Sequence, residues 1–161
     1  MSQRAGASKL EVVKATPAHI INLVPRIAKQ DLAEMHASTE LPPEAALMKS
    51  MVISEYCWAV LDEDSQCIAV FGVAPLNPDT GIPWLIASDS FRTRWVEVAR
   101  GSRLWRQILD ESYSCLVNFV HVDNKTAIRW LEWLGFDIHQ AIPFGVRGEL
   151  FHPFSKGAHH V

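Results

Sequence analysis

Apolar and polar positions change period several times along this chain, and the sharpest change lies between Cys115 and Phe136. Residues 116–122 are a short run rich in β-branched and aromatic side chains, the pattern of a buried strand. Asp123 and Asn124 follow, and a short side-chain oxygen at that position can accept an orphan N–H at a helix start. Ala127, Ile128, Leu131 and Leu134 then recur at helical spacing until Gly135 stops the helix.

The same reading divides the rest. Residues 10–14 predict a strand. Thr16 and Pro17 open a helix as N-cap and first helical residue, and Pro25 ends or kinks it. A second helix is expected over 26–36, and a third over 45–53 after the break at Leu41-Pro42-Pro43-Glu44. Two strands, 55–61 and 66–76, form a hairpin across the polar turn 62–65. Pro78 and Gly81 mark another turn, and 83–88 is a short buried strand. The longest helix is expected over 91–111, capped by Asp89 or Ser90, with Phe91, Trp95, Val98, Trp105 and Leu109 near one stripe. Extended segments follow at 137–143 and 146–151, and residues 1–8 and 157–161 are expected to fray. The order combines an early antiparallel hairpin with a late βαβ crossover, which predicts a mixed α/β sheet with strands 83–88 and 116–122 adjacent and parallel.

Composition narrows the classes. The chain has 161 residues, suited to one domain over 1–161 with a single core. It is 48% hydrophobic and 20% charged, so it should fold. A net charge of −3 without a basic tail argues against a general nucleic-acid binder. No apolar run reaches the ~18 residues of a membrane span, and residues 1–9 lack a signal-peptide core. The 3 cysteines, Cys57, Cys67 and Cys115, lie in strand-like runs and fit reduced thiols. No His/Cys set has metal-ligand spacing, so no metal is expected. The 6 tryptophans imply an aromatic core or a partner surface.

The spelling Asn124-x-x-Ala127-x-x-Trp130-x-x-x-x-Gly135-Phe136 resembles a signature of the GCN5-related N-acetyltransferase (GNAT) fold. The resemblance covers nearly the whole element order. It implies a twisted mixed sheet of about six to seven strands flanked by about four helices, with an acyl-CoA cleft beside the strand and helix just described. Acetyl-CoA is then a possible cofactor, held by Ile86, Ala87 and Ser88 at the end of one strand, by Arg92 and Arg94 on the long helix, and by Asn124. Such sites set the diphosphate on the N–H groups of a glycine-rich helix start. Here that place reads Asp89-Ser90-Phe91-Arg92-Thr93-Arg94-Trp95, without glycine and with an added carboxylate. Arg92 and Arg94 either bind phosphate through their side chains or belong to a solvated face with Arg100, Arg103 and Arg106. Leu131 stands where many relatives carry a proton-donating tyrosine. Asn124 either bonds the CoA arm or caps its helix.

His121, Asp31 and Glu34 are the candidate bases. Strand alternation puts His121 and Asp123 on one side near a strand end, where ligands of open sheets gather. Asp31 and Glu34, one turn apart on a helix, either overhang the acceptor cleft or form a surface pair. The segments at 28–35, 57–63, 70–76, 83–89, 127–136 and 151–154 also resemble a small family of proteins from short-tailed bacteriophages. Its members are described as GNAT-like, or as internal-virion or morphogenesis proteins. Those labels settle no reaction; with the missing glycine loop, Leu131 and the tryptophans, they give a first reading of an accessory binding module in the host cytoplasm or the virion, with a phage or host protein as partner. The alternative is an active acetyl-CoA-dependent N-acetyltransferase acting on a host protein or small amine.

Overall fold

The computed structural model describes residues 9–101 and 113–157. In chain order these form β1 (Glu11–Lys14), α1 (Pro17–Leu23), α2 (Lys29–Ser38), α3 (Pro43–Ile53), β2 (Tyr56–Leu61), β3 (Cys67–Asn77), β4 (Thr80–Ala87), α4 (Asp89–Gly101), β5 (Cys115–His121), α5 (Lys125–Trp133), β6 (Asp137–Ile138), β7 (Ile142–Phe144) and β8 (Glu149–Gly157). The strands make one 8-stranded sheet in the order β1-β2-β3-β4-β5-β8-β6, with β7 also pairing with β8. The described residues thus carry one strand more than the upper expectation and 5 α-helices instead of about four.

Local chemistry explains most element ends. Thr16 and His19 cap α1 reciprocally, the Thr16 N–H donating to His19 Nδ1 at 3.0 Å, with Pro17 in the first turn. Pro25 breaks the i→i−4 pattern, and Val24–Arg26 tightens into a 3-10 turn. The next helix starts at Lys29, later than the pattern suggested. Its approach is pulled onto the end of β4, where the Ala28 N–H donates to Ala87 O at 2.8 Å and Ile27 bridges Ser88. The expected strand over 137–143 is split into β6 and β7. Gly145 and Gly148, both at positive φ, then turn the chain into β8. That last strand is longer than expected and includes Gly157, which pairs with Cys115. Residues 1–8 and 158–161 lie outside the described residues, as do Trp105, Leu109 and the end of the expected long helix.

The sheet is covered on both faces. Phe71, Phe91, Leu116, Val120, Trp130 and Phe154 pack beneath α4 and α5. Ile20, Leu23, Met35, Leu47 and Val70 pack beneath α1, α2 and α3. Neighbouring residues Val70 and Phe71 serve opposite faces, so β3 reads as one continuous apolar run instead of an alternation.

One junction departs from this regularity. β4 and β5 are adjacent and parallel, but pair only at Thr80–Cys115 and Gly81–Leu116. Beyond those rows the two strands part, while β4 stays paired to β3 as far as Ala87 and β5 to β8 as far as His121.

Candidate functional site

The parting of β4 from β5 opens a cavity of about 430 Å³. Its lining comes from both helical layers: Met35 and Leu47 on one side, Phe91, Trp95 and Trp130 on the other. The cavity therefore passes through the sheet by way of the gap between the strands.

A parted strand leaves its gap-facing backbone groups without ladder partners, and burial makes that costly. Side chains replace the ladder. Asn118 donates from Nδ2 to Pro83 O at 2.8 Å, and its Oδ1 accepts the Phe119 N–H at 2.8 Å. Pro83 itself has no N–H to leave open. Asp31 Oδ2 accepts the Ala87 N–H at 2.9 Å, and Glu34 Oε1 accepts the His121 N–H at 2.9 Å. One turn of α2 therefore clasps both strands. Between Pro83 and Ala87, Leu85 presents its backbone to the same edge, because alternate residues of β4 face away from β3.

Asn124 and Arg92 complete the network. Asn124 Nδ2 donates to Asp31 Oδ1 at 3.1 Å and to Glu34 Oε2 at 2.7 Å. Arg92 donates to Asp31 Oδ1 at 3.0 Å and to Asn124 Oδ1 at 3.1 Å, and its guanidinium lies 5.5 Å from the Trp130 ring centroid. Asp31 and Asn124 are buried. Burial raises the pKa of Asp31 against the pull of the Ala87 N–H and Arg92. Burial also lifts Glu34 from the ordinary carboxylate range to about 7, against the hydrogen bonds from His121 N–H and Asn124.

The expected site residues therefore separate. Asp31, Glu34, Asn124 and Ile86 line the cavity. The surface-pair alternative for Asp31 and Glu34 does not hold, since both are bonded to buried backbone. Asn124 makes no side-chain cap bond, because its amide is committed to the network. His121 is outside the cavity lining. Its Nδ1 accepts the Asp123 N–H at 3.1 Å and its Nε2 meets Glu149 Oε1 at 2.9 Å. Ala87 meets the network through its backbone N–H. Ser88, not Asp89 or Ser90, caps α4, its Oγ accepting the Phe91 N–H at 3.4 Å. Arg92 is neither solvated nor open to a ligand, with 8% of its side chain exposed. Arg94 is partly exposed and committed to Glu63, at 2.9 Å and 2.6 Å, and to Glu97 at 3.2 Å. Asn118 was missed by the sequence reading, although Pro83 in a strand already signalled an edge. Among the described residues, no group of three His, Cys, Asp or Glu is placed to hold a metal ion.

No family model and no curated protein matches the chain. Solved structures do. Ard1 from Thermoplasma volcanium superposes with a TM-score of 0.72 at 15% identity, over 94% of this chain and 99% of that one. The fold is that of the GCN5-related N-acetyltransferases. A GNAT superfamily phosphinothricin acetyltransferase (Pat) from Sinorhizobium meliloti, solved in complex with AcCoA, has a TM-score of 0.68 at 12% identity, over 92% and 88%. The spermidine N-acetyltransferase from Vibrio cholerae, in complex with CoA and spermine, has 0.65 at 11% identity, over 92% and 95%.

The GNAT fold implies acetyl-CoA, and the residues present do not fit its diphosphate end. A diphosphate needs free N–H groups or cations at the start of α4. There the Phe91 N–H is taken by Ser88 and the Asp89 carboxylate occupies the first turn. Arg92 faces inward to Asp31, and Arg94 is paired with Glu63. The strand edge that would meet the acyl end has its Ala87 N–H closed by Asp31.

Proposed function

We propose that this GNAT-fold chain is a phage-encoded accessory protein, associated with the virion or its assembly, whose cleft binds without transferring an acetyl group. One observation carries the reading: the Arg92–Asp31–Asn124–Glu34 network fills the inner end of the cleft with the chain's own hydrogen bonds. The Phe91 and Ala87 N–H groups and the Arg92 and Arg94 side chains, which could meet the cofactor, are bonded within the chain. The resemblance to proteins of short-tailed bacteriophages supports the phage assignment, and its segment over 28–35 contains both Asp31 and Glu34. On this reading the partner is a phage or host protein, and the site of action is the host cytoplasm or the virion. Among the described residues, no helix is long and apolar enough to cross a membrane.

A second reading, an active N-acetyltransferase, is favoured by Glu34 alone. A carboxylate with a pKa of about 7 in a cleft is matched to accept a proton from an amine. Thermal unfolding with acetyl-CoA, run beside a thiol-release assay with a panel of amines and host lysate, separates the two. We expect no shift and no release. Stabilisation approaching ~2.7 kcal/mol at hundredfold excess over the dissociation constant, together with thiol release, would overturn the binding reading and establish transfer.

A further inference from the structure

Outside the cavity lining, the outer face of α5 carries Lys125, Arg129 and Trp133. They stand at i, i+4 and i+8, so they stack along one helix face in a ridge about 12 Å long. Lys125 and Arg129 are exposed, and no described residue gives either side chain a hydrogen bond or an ion pair. Glu132, also exposed and next to Trp133, is the only acid in α5. The Asp123 carboxylate just before the helix lies 3.9 Å from the His121 ring. The ridge therefore carries two cations against one acid, with an indole at its end.

Trp133 is 52% exposed, although Trp130 one turn earlier is buried. A side chain of that size is usually covered. The exposed ring is also held still. It meets Trp95 nearly at right angles with centroids 5.0 Å apart, Trp95 meets Trp130 at 5.7 Å, and Trp130 meets Phe91 at 5.7 Å. This column roots a surface ring in the core beneath α4 and α5. A ring already fixed loses little rotamer freedom on contact, so more of its burial is realised as binding energy.

We infer that this ridge docks an acidic helical segment of another protein, with an apolar side chain on Trp133 and carboxylates facing Arg129 and Lys125 one and two turns away. The cations have no partner within the described residues, and their spacing matches carboxylates repeated at every fourth position of a partner helix. Tryptophan and arginine are also the residue types that anchor such contacts. Single-stranded nucleic acid fits less well. Its phosphates would run past Glu132, Trp133 would stack a lone base because Trp130 is buried, and the chain's net charge is −3. The inference goes beyond the reading of the cleft and stands whichever way the cleft is used.

Fluorescence anisotropy of labelled synthetic helices, titrated with the full chain at low salt, tests it. One peptide carries a leucine followed by glutamates at every fourth position. A second replaces the glutamates with glutamines, a third with lysines, and oligothymidylate is the nucleic-acid probe. The glutamate peptide should bind at least tenfold more tightly than each of the other three, and the difference should shrink as salt is added. Trp133→Ala should weaken it at least tenfold. Because that change also removes a ring from the column, Arg129→Glu at an exposed position provides the independent test. It should weaken the glutamate peptide at least tenfold and tighten the lysine peptide at least tenfold. Equal binding of the glutamate and glutamine peptides, or tightest binding of oligothymidylate, would overturn the inference. So would an unchanged affinity in Trp133→Ala or Arg129→Glu, or no binding of the glutamate peptide by the folded protein.

Discussion

β4 has two edges, and they solve the same problem differently. Toward β3 its backbone is paired from Thr80–Asn77 to Ala87–Ala69, and the side chains only have to pack. Toward β5 the ladder stops after Gly81–Leu116, and Asn118, Asp31 and Glu34 take over. The first edge is built from residues that differ little in chemistry, so many apolar sequences would serve it. The second edge needs particular donors and acceptors at particular places, because a half-satisfied buried network is worse than none. The gap that opens the cavity is thus also the place where particular polar side chains are needed.

Arg92→Ala tests that contrast most severely. Removing the guanidinium leaves Asp31 buried beside Asn124 with its charge unmatched. Breaking a buried pair from one side typically costs about 3–5 kcal/mol. Chemical denaturation should show a loss of that order, far above what a typical surface substitution costs. A loss below about 1 kcal/mol would mean that the network does not hold the parted edge.

Glu34→Gln should have the next effect, and it should depend on pH. The folded-state pKa of about 7 lies above the ordinary 4.5, so the folded protein holds the proton more tightly than the unfolded chain. The favourable contribution is complete below pH 4.5 and is lost as pH rises through about 7. In the wild type, stability should fall by on the order of 2 kcal/mol over that window, after discounting for the partial exposure of Glu34. The Gln variant should be flatter, keeping only a slope of the same sign from Asp31, whose pKa is also raised. Parallel pH profiles for the two proteins would show that Glu34 does not titrate in the network.

How much of this was legible follows the same division. The paired edges were readable: the β3 run, the hairpin, Pro17 at the start of α1 and the parallel neighbourhood of β4 and β5 all come from local pattern. Gly135 was readable as well. It ends α5 at φ +91, and an added Cβ would have only the Lys156 Nζ and Cε nearby, at 3.7 Å and 3.8 Å. Gly135→Ala should therefore cost about 1 kcal/mol through backbone conformation alone, measured by denaturation. A near-zero change would place the helix stop elsewhere. The parted edge was not readable. Asp31 sits 61 residues from Arg92 and Glu34 sits 90 from Asn124, and no local period links them. Polar side chains on a helix look like a solvated face until the strand ends they bond are in place.

Arg94→Ala is the smallest expected effect and the sharpest control on the arginine pair. Arg94 lies two residues from Arg92 on the same helix and makes the shorter ion pair, 2.6 Å to Glu63 against 3.0 Å from Arg92 to Asp31. If length set strength, Arg94 would matter more. Exposure argues the reverse, since the Arg94 and Glu63 side chains are 27% and 39% exposed and water screens the pair. The Arg94 hydrogen bond holds the Glu63 carboxyl down at about 2 from its ordinary 4.5. Any stabilisation is therefore present above pH 4.5 and lost as pH falls through about 2. At pH 7 and physiological salt the denaturation midpoint of Arg94→Ala should match the wild type within error. Any difference at low salt should shrink as salt is added. A midpoint shift as large as that of Arg92→Ala would mean that burial does not separate the two arginines, and that the clasp across β4 and β5 is no stronger than a surface contact.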